Sequence, residues 1–494
     1  MLVSLLLDGR LDLQLHSTNP GLPYIRRLEI AINRSTRLHE YSNKNNGAAL
    51  IHLLKGLPRD CLSTFLQVLL STVKFDTCEA VSPEISYILR LTQRKLSNLI
   101  LHLAEDPSHG SLLPDANELR NVTSLSVHLS SFYDVDRAAE VLRQARAVTS
   151  LSLVATNDFR DLPGNSTLRC METLFADWQH GKTKLNIKRL ECDNFDLEEG
   201  SQTIVQALTP KESKELSLDT CRNTNHLMKA LREGNFTLTT LINVRTLHYE
   251  DDLEDEEQEY LAAYKGLSEL RVTTITESEL PPDFDWSAVQ AHGDSLRTLF
   301  VDDFHDENQP FRNVDHNRSM EGLATLFRHC KRLDQLAIRT PSPDASPQQD
   351  DVASFSMFLE CLKPLANLRT LRLFVYLNRL DKPCGYGVKW PEPEATFRRE
   401  AAEWYMKKLA DDVFSTLHDH CPHFVALVMD AREPSMNVGY GDNTKYCKQS
   451  SYFRAMQSNL YGQTTATAVA CELKSIRARE AYCEIFNDEV ISAC

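Results

Sequence analysis

The sequence contains no apolar run of the roughly 18 residues that a membrane-spanning helix needs. We therefore expect no transmembrane segment and no membrane partner. Basic residues are scarce relative to acidic ones, 54 against 69, which gives a net charge of −15 at pH 7. Because nucleic-acid-binding domains usually carry a basic surplus, this charge also argues against a nucleic-acid partner.

Paired cysteine motifs are missing as well. The 13 cysteines are scattered, their number is odd, and none forms a C-x-x-C motif. Because a disulfide framework clusters cysteines in a short chain, we expect reduced, buried thiols and a cytoplasmic or nuclear protein. The apolar start Met1–Leu7 has no basic residues before it, which favours a buried first helix over a signal peptide.

A repeat dominates what the sequence does contain. The string apolar-x-x-Leu-x-apolar recurs at 13 starts, two of them degenerate, with a mean spacing of about 33 residues over the 12 steps. The starts are Ile25, Leu62, Leu96, Val122, Val148, Ile187, Ser213, Val244, Leu267, Leu296, Leu333, Leu368 and Phe424. Leucine-rich repeats usually have a period of about 20–29 residues, so we attribute the excess to uneven insertions.

Each repeat predicts a short strand with one buried face, followed by a helix. The stretches 134–146, 320–330 and 352–362 place their apolar residues on one helical face. Stacked units of this kind share one core. We therefore predict an α/β fold, a leucine-rich-repeat solenoid (horseshoe) with a parallel concave sheet and outer helices, over residues 1–430. Residues 431–494 are predicted to be a C-terminal cap with an edge strand over Thr464–Leu473, preceded by a long helix over 395–418.

Motifs for catalysis and cofactor binding are weak. The sequence has neither a G-x-S-x-G nor an H-E-x-x-H motif. His418, His420, Cys421 and His423 are zinc-ligand types, but ligands crowded so closely rarely converge on one ion, so we interpret them as a helix end followed by a strand. The Gly-Lys-Thr sequence at 181–183 lacks the first glycine of a P-loop. We expect no catalytic residue, metal or cofactor, and a hydrolase or metal enzyme is the weaker alternative.

An acidic run occupies residues 250–259, with eight acidic side chains in ten positions. A solvated loop accounts for such a run. The alternative is a docking site for a basic partner.

The predicted concave face is the best candidate for a binding surface. In a horseshoe, the residue between the leucine and the next apolar position points outward from the sheet. The candidate partner-binding residues at such positions are His248, Arg271, Phe300, Ala337 and Arg372. Arginine and aromatic residues are enriched at interface hot spots, which favours a protein partner. Ordinary solvated sheet residues are the alternative.

Several short segments resemble one family. They are Pro20-Gly-Leu-Pro-Tyr-Ile-Arg-Arg-Leu-Glu-Ile30, Leu57-Pro-Arg-Asp60, Gln93-Arg-Lys-Leu-x-x-Leu99 and Tyr461-Gly-Gln-Thr-Thr465, which are similar to segments of fungal F-box/leucine-rich-repeat proteins. The resemblance implies the substrate-recognition part of an SCF-type ubiquitin ligase, in which the F-box docks a Skp1-type adaptor. A full F-box does not fit ahead of Ile25. Residues 1–24 are therefore expected to be a remnant of it, at most its last helix over Met1–Leu15, or an N-terminal cap.

The expected function is non-enzymatic protein–protein interaction, with a protein partner on the concave face. The resemblance adds substrate recognition for a ubiquitin ligase to this expectation. A binding scaffold that works without ubiquitin is the first alternative.

Overall fold

The computed structural model describes residues 2–7, 27–33, 64–70, 97–103, 119, 121–129, 134–155, 170–179, 184–247, 256–276, 286–305, 316–340, 355–376, 392–432, 448–458, 464–473, 475, 476 and 485. The chain divides into two compact units, unit 1 (Met1–Phe236) and unit 2 (Thr237–Cys494). The boundary predicted between residues 430 and 431 falls inside unit 2, within a strand.

Unit 1 is built on a parallel sheet. Its strands are β1 (Leu2–Leu7), β2 (Arg27–Asn33), β3 (Thr64–Leu70), β4 (Asn98–Leu103), β5 (Ser124–Leu129), β6 (Ser150–Ala155), β7 (Arg189–Asp193) and β8 (Glu215–Cys221). Each strand pairs in parallel with the next one along the chain. The helices are α1 (Asp134–Gln144), α2 (Cys170–Gln179), α3 (Ser201–Ala207) and α4 (Thr224–Glu233), and each packs against the next.

Unit 2 starts with parallel strands and ends with an antiparallel pair. Its strands are β9 (Thr240–Leu247), β10 (Glu269–Thr276), β11 (Thr298–His305), β12 (Gln335–Arg339), β13 (Thr370–Tyr376), β14 (Ala426–Arg432), β15 (Lys448–Ser458) and β16 (Thr464–Cys471). Pairing is parallel from β9 to β14 and antiparallel from β14 to β16. Its helices are α5 (Glu256–Ala262), α6 (Trp286–Gln290), α7 (His316–His329), α8 (Phe355–Leu362) and α9 (Glu392–Leu417), again packed in sequence order. Both units thus have an α/β architecture with a mostly parallel open sheet, consistent with a solenoid-like fold.

Helix α1 illustrates why these segments are helical. Its first turn is acidic and its last turn carries Arg143, which suits the helix dipole at both ends. Val135, Ala138 and Leu142 recur at helical spacing, and all three are buried. The helix therefore owes its position to one apolar face, which packs against β4 and β5.

The strands align leucine on leucine. Leu125, Leu151, Leu190 and Leu216 occupy partner positions in β5 to β8, and all four are buried. The degenerate string that starts at Ser213 keeps this register, because the buried Ser213 hydroxyl donates a hydrogen bond of 2.8 Å to the carbonyl oxygen of Ile187. That bond satisfies a polar group at a position that is otherwise apolar.

The N-terminal segment is a strand, and the predicted first helix is wrong. In β1, Val3 and Leu5 pair with Leu28 and Ile30 of β2. The periodicity of a short apolar run is compatible with a helix or with a strand. Here the run pairs with β2 and is a strand.

The sequence frame is also wrong at β9. Leu241 and Asn243 pair with Leu270 and Val272, so the string starts at Leu238 and not at Val244. Asn243 occupies the second inward position, where the next two strands carry Val272 and Val301. Its buried side-chain amide donates a hydrogen bond of 3.2 Å to the Glu257 carboxylate.

Most other predicted elements are present at the expected positions. The segments predicted as helices correspond to α1, α7, α8 and α9, with ends that differ by a few residues. The predicted edge strand is β16, which lies at the end of the strand order. Helix α9 ends at Leu417, before Pro422, as the proline predicts.

Candidate binding surface

We call the sheet face opposite the buried leucines the outer face. In unit 1, strand pairing places one outer residue from each of five strands side by side. These residues are Ile100, Ser126, Ser152, Glu191 and Ser217, and each is half-buried. Three of the five have small hydroxyl side chains, which can both donate and accept hydrogen bonds.

Apart from Ile100 and Val154, the described outer residues of β4 to β8 are polar. The Ser126 hydroxyl lies 3.2 Å from the His128 ring nitrogen Nε2. Arg189 donates a hydrogen bond of 2.8 Å to Glu191 and lies near the Glu215 carboxylate. The surface therefore offers hydroxyl and carboxylate acceptors, with an arginine held between two acidic residues.

In unit 2 the predicted site residues do lie in one row. Strand pairing places Arg271, Phe300, Ala337 and Arg372 next to one another, flanked by Ile242 on β9 and Val428 on β14. Ile242 is the residue that the sequence missed, because the frame on β9 was wrong. His248 lies outside the described residues.

Three of these predicted residues do not face solvent. Phe300 is 7% exposed and Ala337 is fully buried. Both belong to an apolar cluster with Phe374, Ile476 and Ile485, in which the rings of Phe300 and Phe374 meet edge to face at 5.6 Å between centroids. Residues from the C-terminal segment therefore cover the outer face of β11 to β14, and the expected exposure is wrong there.

Arg372 is buried as well, and its charge is neutralised inside the protein. Its Nε donates a hydrogen bond of 2.6 Å to Asp430, and its Nη1 donates one of 2.9 Å to the carbonyl oxygen of Ile485. The guanidinium also lies over the Phe374 ring at 5.4 Å. Arg372 thus connects two strands to the covering segment.

Arg271 remains partly accessible. Its Nε donates a hydrogen bond of 2.6 Å to Glu269, two residues earlier on the same strand. Of the five predicted binding residues, Arg271 is the one that the structure describes and does not bury fully, with its side chain 11% exposed.

A buried histidine in unit 2 has a structural role. The amide of Leu267 donates to Nδ1 of His292 at 3.2 Å, and Nε2 donates to the carbonyl oxygen of Leu261 at 2.9 Å. The ring packs edge-on against Tyr264. Burial lowers the pKa of His292, and the bond to Leu261 opposes this shift. Both nitrogens are used by the backbone, so the ring is neutral.

The segment with zinc-ligand residue types is a helix end and a turn that lead into strand β14, as the sequence interpretation predicts. Cys421 is buried, His418 is half-buried, and His420 and His423 are exposed. Among the described residues, no three histidine, cysteine or acidic side chains are placed to share a metal ion. The Gly-Lys-Thr sequence at 181–183 lies outside the described residues.

The described cysteines are free thiols, and most of them are buried. Burial raises the pKa of Cys170 to about 12 and that of Cys421 to about 11. Five of the seven described cysteines are buried, and Cys361 and Cys471 are half-buried. The reduced state of these thiols stays a prediction.

The acidic run is only partly described. Residues 250–255 lie outside the described residues, and Glu256 starts helix α5. Glu257 is buried against Asn243, so this part of the run is not a solvated loop.

Comparisons with known proteins add no family assignment. No protein-family model matches the chain, and no curated protein is significantly similar to it in sequence. In the part of the chain that the structure describes, no helix is long and apolar enough to cross a membrane.

Proposed function

We propose that this chain is a non-enzymatic protein-binding solenoid of the leucine-rich-repeat type, and that it binds a polypeptide on the outer face of its sheets. The observation that carries the proposal is the covered face of unit 2. There the outer residues of β11 to β14 pack against Ile476 and Ile485, and Arg372 binds the backbone carbonyl of Ile485. This face already accommodates a polypeptide segment, namely one from the same chain.

The outer face of unit 1 is the surface that we propose for the partner. Its central row is half-buried and rich in serine, which suits close approach of a backbone and hydrogen bonding to it. Carboxylates at Glu191, Asp193 and Asp219 lie in or beside this row, in strands β7 and β8. A partner segment with basic or hydrogen-bond-donating side chains fits these groups best.

The leucine-rich-repeat identity is supported by the strand frame. Leucines occupy the same register position in successive parallel strands, and consecutive helices pack beside one another. Each strand with its helix buries its apolar face against the next, which is the packing that repeat solenoids use. The long and uneven spacing corresponds to insertions between units.

The more specific role, substrate recognition for an SCF-type ubiquitin ligase, rests on the sequence resemblance alone. It predicts that a Skp1-type adaptor and a cullin purify with the chain from its native cell. Their absence, together with reproducible enrichment of other proteins, would favour a scaffold that works without ubiquitin.

The binding proposal is tested by one substitution on the outer face. Ser152→Arg places a long cation in the middle of the serine row, whereas Gln206→Arg adds the same charge at an exposed position on helix α3. The native chain and both variants are purified from the native cell, and the proteins that accompany them are quantified by mass spectrometry. We expect a partner that is retained by Gln206→Arg and lost by Ser152→Arg.

An identical set of proteins with all three chains would contradict binding at this row. Thermal unfolding followed by circular dichroism checks that both variants are folded. A folded Ser152→Arg variant that keeps every partner would overturn the proposal.

A further inference from the structure

A basic groove of about 750 Å³ runs along the starts of strands β11 to β14 in unit 2. Arg297, Arg332, Arg369 and His423 line it, together with Asp334. With histidine neutral, three arginines and one aspartate give these residues a formal charge of +2. The whole chain carries −15, so this groove has the opposite sign.

The order of the strands sets the spacing of these side chains. Arg297, Asp334, Arg369 and Val425 each precede the first residue of their strand, at matching positions. Backbone hydrogen bonds connect them, from Asp334 to Arg297 at 2.9 Å, from Arg369 to Asp334 at 2.8 Å and from Val425 to Arg369 at 2.9 Å. Because neighbouring strands lie about 4.8 Å apart, four strand starts span about 14 Å.

The same position has a different use in other strands. Before β5, β6 and β10 it holds Thr123, Thr149 and Ser268, whose hydroxyls donate to the carbonyl oxygen at the same position before the neighbouring strand. Before β7 and β8 it holds Lys188 and Lys214. Arg297 and Arg369 replace this short local bond with long cationic side chains. Arg297 is 66% exposed, and Arg332 and Arg369 are exposed as well.

One acidic residue limits the charge of the groove. Asp334 accepts a hydrogen bond of 2.7 Å from Arg297, and its side chain is only 14% exposed. This pair neutralises one cation and fixes its position. Arg332 and Arg369 are the other two arginines that line the groove, and both are exposed.

We propose that this groove binds an acidic peptide segment, through the aspartate or glutamate side chains of the partner. Guanidinium groups match carboxylates in shape and bind them with paired hydrogen bonds. A length of about 14 Å accommodates about four residues of extended peptide, which is more than one small anion occupies. A long polyanion such as nucleic acid would also meet the negative charge of the whole chain. The site is separate from the outer face and does not depend on the function proposed for that face.

The probe is a fluorescein-labelled hexaglutamate peptide, and its binding to the full chain is followed by fluorescence anisotropy. A hexaglutamine peptide is the uncharged control. We expect saturable binding of hexaglutamate that weakens with added salt, and no binding of hexaglutamine. Arg332→Glu and Arg369→Glu should each weaken binding about tenfold, the usual effect of losing one charge-assisted contact.

A matched variant and a variant of opposite effect complete the test. Arg146→Glu makes the same charge change at an exposed arginine that follows helix α1 in unit 1, and it should leave the affinity unchanged. Asp334→Asn removes the carboxylate that pairs with Arg297, so it should strengthen binding severalfold. Arg332→Gln removes the positive charge without reversing it, so it should weaken binding less than Arg332→Glu does. Thermal unfolding followed by circular dichroism checks that each variant is folded.

The contrary outcomes are equally specific. Equal weakening by Arg146→Glu would show diffuse attraction and overturn the site. Displacement of the peptide by an equal concentration of inorganic phosphate would assign the groove to a small anion. Tighter binding of a short oligothymidylate than of hexaglutamate would overturn the peptide as ligand, as would an absence of hexaglutamate binding.

Discussion

Replacing Arg372 with methionine should destabilise unit 2 strongly, because the change leaves two buried acceptors without their donor. The side chains of Arg372 and Asp430 are 3% and 8% exposed, and their hydrogen bond is 2.6 Å long. The same guanidinium donates to the carbonyl of Ile485. Breaking a buried ion pair by removing one partner costs about 3–5 kcal/mol. That is a large part of the 5–15 kcal/mol that usually separates folded from unfolded protein.

A double-mutant cycle separates the ion pair from the bond to the C-terminal segment. Asp430→Leu alone leaves a buried cation and should cost a similar amount. The double variant, Arg372→Met with Asp430→Leu, removes both charges. The carbonyl oxygen of Ile485 then lacks its hydrogen-bond donor, which lowers the free energy of unfolding by about 1–3 kcal/mol. The double variant should therefore be more stable than either single variant.

The measurement is urea unfolding of the native chain and the three variants, followed by circular dichroism. The reasoning would be refuted by a loss of less than about 1 kcal/mol for Arg372→Met, since a buried charge cannot be left unpaired so cheaply. It would also be refuted if the effects of the two single changes simply added in the double variant. Addition would mean that Arg372 and Asp430 do not interact.

Three further predictions follow from burial. Phe300→Ala removes a ring from the cluster under the C-terminal segment and should cost about 3–5 kcal/mol in urea unfolding; a cost near zero would contradict its burial. Burial lowers the pKa of His292 in the folded chain, so the unfolded chain is protonated at a higher pH. The contribution of neutral His292 to stability is therefore complete above about pH 6.5, the ordinary pKa of histidine. This contribution is lost as the pH falls from there towards the pKa of His292 in the folded chain. His292→Gln should flatten this slope in urea midpoints measured across that range, and an unchanged slope would count against the assignment. Burial raises the pKa of the Cys192, Cys221 and Cys361 thiols, but Cys361 is only half-buried. Cys361 should therefore react with a thiol reagent before Cys192 and Cys221 in the folded chain, and peptide mapping that shows the reverse order would contradict their burial.

The strand frame was largely predictable because it depends on local periodicity. Leu125, Leu151 and Leu190 could be identified from the string alone, and strand pairing places them side by side. The frame failed at β9 because Asn243 occupies an inward position, and a search for apolar residues passes over it. Its amide is satisfied by Glu257, which follows on helix α5. A buried polar pair of this kind is visible only when both partners are placed.

The exposure of the candidate site could not be predicted from the same pattern. Whether Phe300 or Arg372 faces solvent depends on what covers the sheet. The covering residues, Ile476 and Ile485, are more than 100 positions away in sequence from both. The alternation of a strand defines its two faces, but it does not show which face meets a distant segment. The burial of these residues therefore depends on tertiary contacts alone.

The residues that line the basic groove can be compared with the residues that precede the other strands. Once the frame is known, the residue before each strand can be compared along the chain, and it is a threonine or serine at Thr123, Thr149 and Ser268. At those positions the side chain has a local structural use, because its hydroxyl bonds the neighbouring strand. Arg297 and Arg369 have the same backbone environment, with long cationic side chains in place of the hydroxyl. Lys188 and Lys214 precede β7 and β8 at the same position, so a long cation before one strand is not specific to this groove. What distinguishes the groove is that Arg297, Arg332 and Arg369 line one concave surface.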